Sequence, residues 1–197
     1  MTRLNRHAVS TVLLIALVGC SGSFAGPNGV YPLANLRAIE DDLAYRSSQP
    51  DENMLRDVIA AFGIKTVINL RGENPDEVWW QDEDRVCSEL GVELINIPMS
   101  ANHMPSNAVL LSLYEALTTV EHPIWLHCQA GADRAGAAAA IWRMSVLGQP
   151  RDEAAEELNI CYGHIVFFTP QMDYLVSIFQ PDPDWIVNEY DPDDVPF

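Results

Sequence analysis

Basic residues are scarce in this chain, with 11 Lys and Arg against 28 Asp and Glu, for a formal net charge of −17. The average surface field therefore repels nucleic acid and anionic lipid, so DNA or RNA binding is not expected. If the substrate is itself an anionic phosphate, a local positive site must overcome that field. Long apolar runs are also lacking, because the stretch from Ala8 to Val18 is too short for an ordinary membrane span. There is no internal repeat. Only four cysteines occur among the 197 residues, and a chain of this length forms a one-domain core without disulfide staples. With 48% hydrophobic and 20% charged residues, the composition is that of a globular protein rather than a disordered one.

The N-terminus reads as an export signal. Arg3, Arg6 and His7 precede the Ala8 to Val18 run, which has the length of a signal-peptide core. Its end, Leu17-Val18-Gly19-Cys20, resembles the lipobox of bacterial lipoproteins. That resemblance implies a lipoprotein signal peptide over residues 1–19, removal before Cys20, and acylation of Cys20. Acyl chains would then anchor the exported protein to a bacterial membrane. Ser21 does not look like a retention signal, which points to the outer membrane facing the periplasm. A plain signal peptide cut near Ser23 to Ala25 is the alternative. Residues 20–30, rich in Gly, Ser, Pro and Asn, read as a flexible tether. Of the cysteines in the mature body, Cys87 and Cys161 can pair and leave Cys128 free, and buried free thiols are the other reading.

Strands and helices alternate along residues 31–179. Lys65-Thr-Val-Ile-Asn-Leu70, Val92-Glu-Leu-Ile-Asn-Ile97 and Pro123-Ile-Trp-Leu-His127 read as strands. Helical patterns cover Asp51 to Phe62, Asp76 to Leu90, Pro105 to Val120, Ala135 to Leu147, Asp152 to Asn159 and Pro170 to Phe179. The order predicts an α/β fold with a central, mostly parallel sheet flanked by helices. Residues 180–197 form an acidic, Pro-rich tail that keeps Trp185, Ile186, Tyr190 and Phe197, so it either wraps the domain or floats.

The chemistry sits in His127-Cys128-Gln129-Ala130-Gly131-Ala132-Asp133-Arg134, between a buried strand and an alanine-rich helix. A loop entering a helix N-terminus turns several N–H groups inward and makes an anion site backed by the helix dipole. The same field favours a thiolate, which makes Cys128 a candidate nucleophile. Arg134 offers a planar fork to two phosphate oxygens, a geometry that lysine lacks. Gly131 permits the tight backbone path. Taken singly, a strand-end cysteine is usually a core residue and a helix-start arginine a surface charge; it is their combination in this context that points to function.

The Cys-x5-Arg spacing resembles the signature loop of the cysteine-dependent protein tyrosine and dual-specificity phosphatases. Leu43-Ala-Tyr45-Arg46-Ser47-Ser48-Gln49-Pro50 and Asn69-Leu70-Arg71-Gly72-Glu73 look like their atypical bacterial, fungal and plant members. The resemblance spans about Tyr31 to Phe179. It implies the cysteine-phosphatase fold and phosphomonoester hydrolysis through a phosphocysteine on Cys128. Residues Gln129 to Arg134 would bind the phosphate, and no cofactor or metal would be needed. His127 would support the loop by hydrogen-bonding its backbone, or serve simply as a core histidine. Arg46 and Arg71 would brace loops.

The chain departs from the family pattern in two places. Ala135 stands where a Ser or Thr hydroxyl usually assists phosphocysteine breakdown. The loop Pro98-Met-Ser-Ala-Asn-His103-Met-Pro105 has no aspartate where the general acid is expected. Asp133 is the preferred acid, with a helix N-cap as its structural alternative. His103 is the second candidate, and a reaction with no dedicated acid is the third reading. Expected partners are a phosphorylated protein, a phosphoinositide or a small phosphomonoester, together with the membrane through the lipid anchor. Oligomeric state is open. The alternatives are a phosphate-binding module that no longer turns over, or a sulfurtransferase or arsenate reductase.

Overall fold

The structure, a computed structural model, describes residues 35–197 and the backbone of an antiparallel pair, β1 (Phe24–Gly26) and β2 (Gly29–Tyr31). The signal peptide, Cys20 and most of the tether lie outside the described residues. Among the described residues no helix is long and apolar enough to cross a membrane.

A five-stranded sheet runs in the order β3 (Arg37–Glu40), β4 (Ala44–Ser47), β7 (Ile124–His127), β5 (Thr66–Asn69), β6 (Glu93–Asn96). Only β3 is antiparallel to its neighbour. The register aligns Ser47, His127, Asn69 and Asn96 across one row. All four parallel strands therefore end together, and their connecting loops open from one edge. In α/β sheets that carboxyl edge is where ligands bind.

Both faces are covered, which is why these short strands read as continuous apolar runs. Tyr45, Val67 and Trp125 point to one face and pack with Leu55, Val58 and Val86 from α1 (Glu52–Phe62) and α2 (Val78–Leu90). Ile68, Ile124 and Leu126 point to the other. They pack beneath α3 (Asn107–Thr119), α4 (Asp133–Val146) and α6 (Pro170–Ile178). The α4 sequence explains its central place: Ala135 through Ala140 are all buried, and small side chains let the helix lie close to its neighbours. A Cβ on Gly136 would stand 2.8 Å from Leu158 Cδ2 and 2.9 Å from the Glu157 carbonyl oxygen.

Two local differences from the sequence expectation have physical causes. The β3–β4 hairpin was not anticipated as strands, because each strand has four residues and the pair is interrupted by acidic residues and a register shift. The predicted helix from Asp152 to Asn159 is instead α5 (Arg151–Ala154) followed by a 3₁₀ turn over Ala155–Glu157. The Glu157 carbonyl accepts from Arg46 Nη1 at 2.7 Å, and Leu158 then leaves helical geometry with ψ 84.

The C-terminal segment packs on the domain. It forms α7 (Pro183–Asn188), buries Trp185, Ile186 and Tyr190, and receives two hydrogen bonds from Asn107 Nδ2 at the Ile186 and Tyr190 carbonyls, both 2.8 Å. Cys87 is a free buried thiol, so it does not pair with Cys161.

Candidate active site

The loop from Cys128 to Arg134 joins the end of β7 to the start of α4, at the edge where the parallel strands finish together. Cys128 is 2% exposed, and its Sγ accepts a hydrogen bond from the Gly131 N–H at 3.3 Å. Gly131 has φ +70, and a Cβ there would fall 2.5 Å from the Ser47 carbonyl carbon and the Ser48 nitrogen. Glycine is required on both counts.

The loop's carbonyls are braced by bonds from neighbouring elements. Fully buried Arg46 donates through Nη2 to the Gly131 and Ala132 carbonyls at 2.8 and 3.0 Å. Its Nη1 reaches Glu157 Oε2 at 2.7 Å. Asn35 Nδ2 donates to the Ala130 and Gly131 carbonyls and, at 2.7 Å, to that of Tyr162. The Gln49 N–H bonds the Gln129 carbonyl at 3.2 Å. Arg46 thus has the bracing role expected of it.

Arg134 is half-buried and donates through Nη1 to the Leu70 and Met99 carbonyls at 3.3 and 3.2 Å. Two strand-end loops thereby fix its guanidinium. Arg71 lies beside it: burial and the Arg134 charge both lower its pKa, while the charge of Cys128 acts the other way. Arg71 stacks over Trp79 at 3.6 Å and donates to Gln49 Oε1 at 2.9 Å. The acidic molecule therefore concentrates two guanidinium groups near one thiol.

Asp133, at the first turn of α4, accepts from Thr169 Oγ1 at 2.8 Å and lies 2.7 Å from His164 Nδ1, both at Oδ1. His164 Nε2 in turn lies 2.8 Å from Asp173 Oδ2. Burial opposes ionisation of Asp133, but the bonds from His164 and Thr169 outweigh it and hold the carboxyl below its ordinary range. Burial likewise opposes protonation of His164, and the two carboxylates outweigh it and raise its pKa. The side chain of Asp133 does not cap the helix. His164 and Thr169 were not legible as members of the site. The signal in the chain is the Tyr162-Gly163-His164 turn after a predicted helix, and it does not by itself bring these residues to Asp133.

His127 is fully buried with its Nε2 2.5 Å from Glu83 Oε1, although their orientation does not satisfy hydrogen-bond geometry. Its side chain does not bond the phosphate loop, so of its two expected roles it fills that of a core histidine. The contribution to that region is instead its backbone carbonyl, which accepts from the Leu70 N–H at 2.9 Å. His103 is exposed on the loop whose Met99 carbonyl holds Arg134, and its Nδ1 lies 3.1 Å from Ser100 Oγ. Ala135 is fully buried at the base of α4.

Known proteins share this fold. The curated dual specificity protein phosphatase TpbA of Pseudomonas aeruginosa strain UCBPP-PA14 is 28% identical over 138 residues, 68% of this chain and 58% of that protein. The matched region thus spans a little over half the length of that relative. A crystal structure of P. aeruginosa TpbA in complex with pTyr superposes with TM-score 0.60 at 23% identity, covering 78% of this chain and 88% of that one. The core catalytic domain of the PP-IP phosphatase SIW14 of S. cerevisiae does so with TM-score 0.60 at 20% identity, covering 75% and 86%. At these identities the superpositions establish the cysteine-phosphatase fold. The family described as DSP-PTPase phosphatase fused to NAD+ kinase matches residues 34–166, and the chain belongs to that family.

Proposed function

We propose that this protein hydrolyses phosphomonoesters through a phosphocysteine intermediate on Cys128. The observation that carries the reading is the Gly131 N–H donating to Cys128 Sγ inside a loop whose carbonyls are tied to neighbouring elements, with Arg134 fixed at its end. The Sγ electron pair forms the S–P bond as the P–O bond to the leaving group breaks. The guanidinium N–H groups of Arg134 not engaged by Leu70 and Met99, together with the loop N–H groups, hold the remaining phosphate oxygens. Water then forms the new P–O bond, and the pair returns to Sγ as inorganic phosphate leaves.

The proton roles follow from the contacts. Sequence reasoning prefers Asp133 as acid, but a carboxyl held ionised by His164 and Thr169 is better suited to take the proton of the attacking water. We assign protonation of the leaving oxygen to His103, on the neighbouring loop. The lipobox at Cys20 supports action at a bacterial envelope membrane.

The test is steady-state hydrolysis of p-nitrophenyl phosphate by wild type and Cys128→Ser, with phosphate binding measured in parallel. Loss of turnover with retained phosphate binding is the expected result. Full turnover by Cys128→Ser overturns the catalytic assignment, and phosphate binding without turnover by wild type identifies a binding module.

A further inference from the structure

A groove of about 490 Å³ opens between the loop after β6 and the C-terminal segment. His103 and Met104 line it from the loop, Asp193, Val195 and Phe197 from the C-terminal segment, and Gln171 from the first turn of α6. The C-terminal segment is fastened on both sides of Asp193. Before it, Tyr190 Oη donates to the Pro105 carbonyl at 2.7 Å, and the Tyr190 carbonyl accepts from Asn107 Nδ2 at 2.8 Å. After it, the Phe197 ring meets Tyr174 of α6 edge to face, with centroids 5.9 Å apart. Between these anchors the Asp193 N–H donates to Asp191 Oδ1 at 2.9 Å, and the Val195 N–H donates to the Asp193 carbonyl at 3.0 Å. This wall of the groove is therefore a fixed turn.

Two of the three elements around the groove also hold the phosphate loop. The Met99 carbonyl accepts from Arg134, and Ser100, the next residue, keeps its Oγ 3.1 Å from His103 Nδ1. Thr169 donates to Asp133 at 2.8 Å, and Gln171 follows it in the chain by at most about 7 Å. A phosphate held by the loop therefore has the groove beside it. His103, assigned above to the leaving oxygen, places the rest of the leaving group among these side chains.

We propose that the groove receives the leaving group of the substrate, and that Asp193 makes the enzyme select phosphomonoesters of positively charged alcohols or phenols. The inference rests on the phosphatase reading above and on His103 as the acid. Met104, Val195 and Phe197 offer contact to the apolar part of such a group. Among the described residues no lysine or arginine lines the groove, and the exposed Asp193 carboxylate has no hydrogen bond or ion pair. A cationic arm is attracted by that carboxylate. A second phosphate or a carboxylate on the leaving group is repelled by it, and by Asp191 and Asp194 next to it in the chain. Charge is thus divided across the site: the loop and Arg134 hold the anionic phosphate, and the groove favours the opposite sign on the group that departs.

The test uses the full chain at neutral pH and two esters of one phenol frame. O-phosphotyramine carries an ammonium arm, and 3-(4-phosphooxyphenyl)propionate carries a carboxylate arm. Wild type should favour the tyramine ester in kcat/KM by about three- to tenfold, the scale of one exposed charge acting as attraction on one arm and repulsion on the other, with the difference in KM. Asp193→Asn should remove most of the preference and Asp193→Lys should invert it. Neither should alter p-nitrophenyl phosphate turnover, since that substrate has no charged arm. Glu93→Gln, the same charge change at the opposite edge of the sheet, should leave the preference intact. Calorimetric affinities of the two esters for Cys128→Ser should follow the same order.

An unchanged ratio in Asp193→Lys overturns the proposal. So does a Glu93→Gln effect equal to that of Asp193→Asn, because it assigns the preference to the field of the whole molecule. If wild type hydrolyses neither ester nor p-nitrophenyl phosphate, the phosphatase reading fails, and the affinities for Cys128→Ser alone decide the groove. Equal affinities sink it, and a preference that Asp193→Lys inverts in that background upholds it.

Discussion

His164 joins two carboxylates: Nδ1 lies 2.7 Å from Asp133 Oδ1 and Nε2 lies 2.8 Å from Asp173 Oδ2. Asp133 begins the helix behind the phosphate loop, whereas Asp173 belongs to α6, so one imidazolium ties the loop to a helix distant in sequence. The segment between His164 and Asp173 carries the exposed Ile165, Val166, Phe167 and Phe168. His164 is therefore the clasp that fixes that segment against the site.

This clasp has a defined pH window. The raised His164 pKa contributes stability that is complete below the ordinary histidine value and is lost as pH rises through the folded value. The depressed Asp133 pKa contributes stability present above the ordinary aspartate value and lost as pH falls through the folded one. Their joint effect is greatest from about pH 4 to about pH 6.5, the ordinary values of the two groups. We expect His164→Gln to flatten the pH dependence of the urea midpoint on both sides of that window. An unchanged profile in the variant means that other groups set the dependence.

The Arg46 network gives a test of stability. Arg46 is fully buried and shares Glu157 with Arg143, whose Nε lies 2.8 Å from Oε1. Breaking a buried pair strands the remaining charge and costs about 3–5 kcal/mol. Because Arg143 still neutralises Glu157, Arg46→Met should fall at the lower end of that range. It also frees the Gly131 and Ala132 carbonyls, so phosphate binding should weaken with it. Arg143→Met, at a more exposed site, should cost about 1 kcal/mol. Equal losses in urea denaturation for the two variants would show that burial does not govern this network.

Thiol chemistry should separate the two free cysteines among the described residues. Burial, followed by the charges of Glu83 and Asp84, pushes the Cys87 thiol up to about 12. Cys128 instead receives the Gly131 N–H. Iodoacetamide at neutral pH should alkylate Cys128 in the native protein, inorganic phosphate should protect it, and Cys87 should react only after denaturation. Mass spectrometry of the digests reads this directly, and native labelling of Cys87 contradicts the assignment.

What the sequence made legible is whatever depends on local pattern. The strands at β5, β6 and β7 announce themselves through β-branched and apolar runs. The Cys128 to Arg134 spacing, with its glycine, needs only the strand before it and the helix after it. The clasp was hidden because Asp133, His164, Thr169 and Asp173 come together only through the packing of α4 against α6. The choice between the two roles of His127 was hidden for the same reason, since its neighbour Glu83 comes from α2. Short edge strands such as β3 draw their identity from pairing with Ala44–Ser47 and not from their own residues.

The proton assignments make opposite predictions for two substitutions. If His103 protonates the leaving oxygen, His103→Gln should slow an alkyl phosphate by about 10²–10⁴-fold, the usual contribution of a positioned acid, and leave p-nitrophenyl phosphate nearly unaffected. A nitrophenolate departs without help, so its hydrolysis reports the second step. Asp133→Asn should therefore slow turnover of p-nitrophenyl phosphate while preserving a rapid burst of nitrophenol, because phosphocysteine still forms but its water is no longer deprotonated. Phosphate affinity must be measured alongside, since the same change loosens His164 and Thr169. If Asp133→Asn instead spares p-nitrophenyl phosphate and loses only the alkyl substrate, the roles are reversed. The clasp would then lower the ionised carboxylate's demand for a proton only until substrate binds, and Asp133 would be the acid that the sequence favoured.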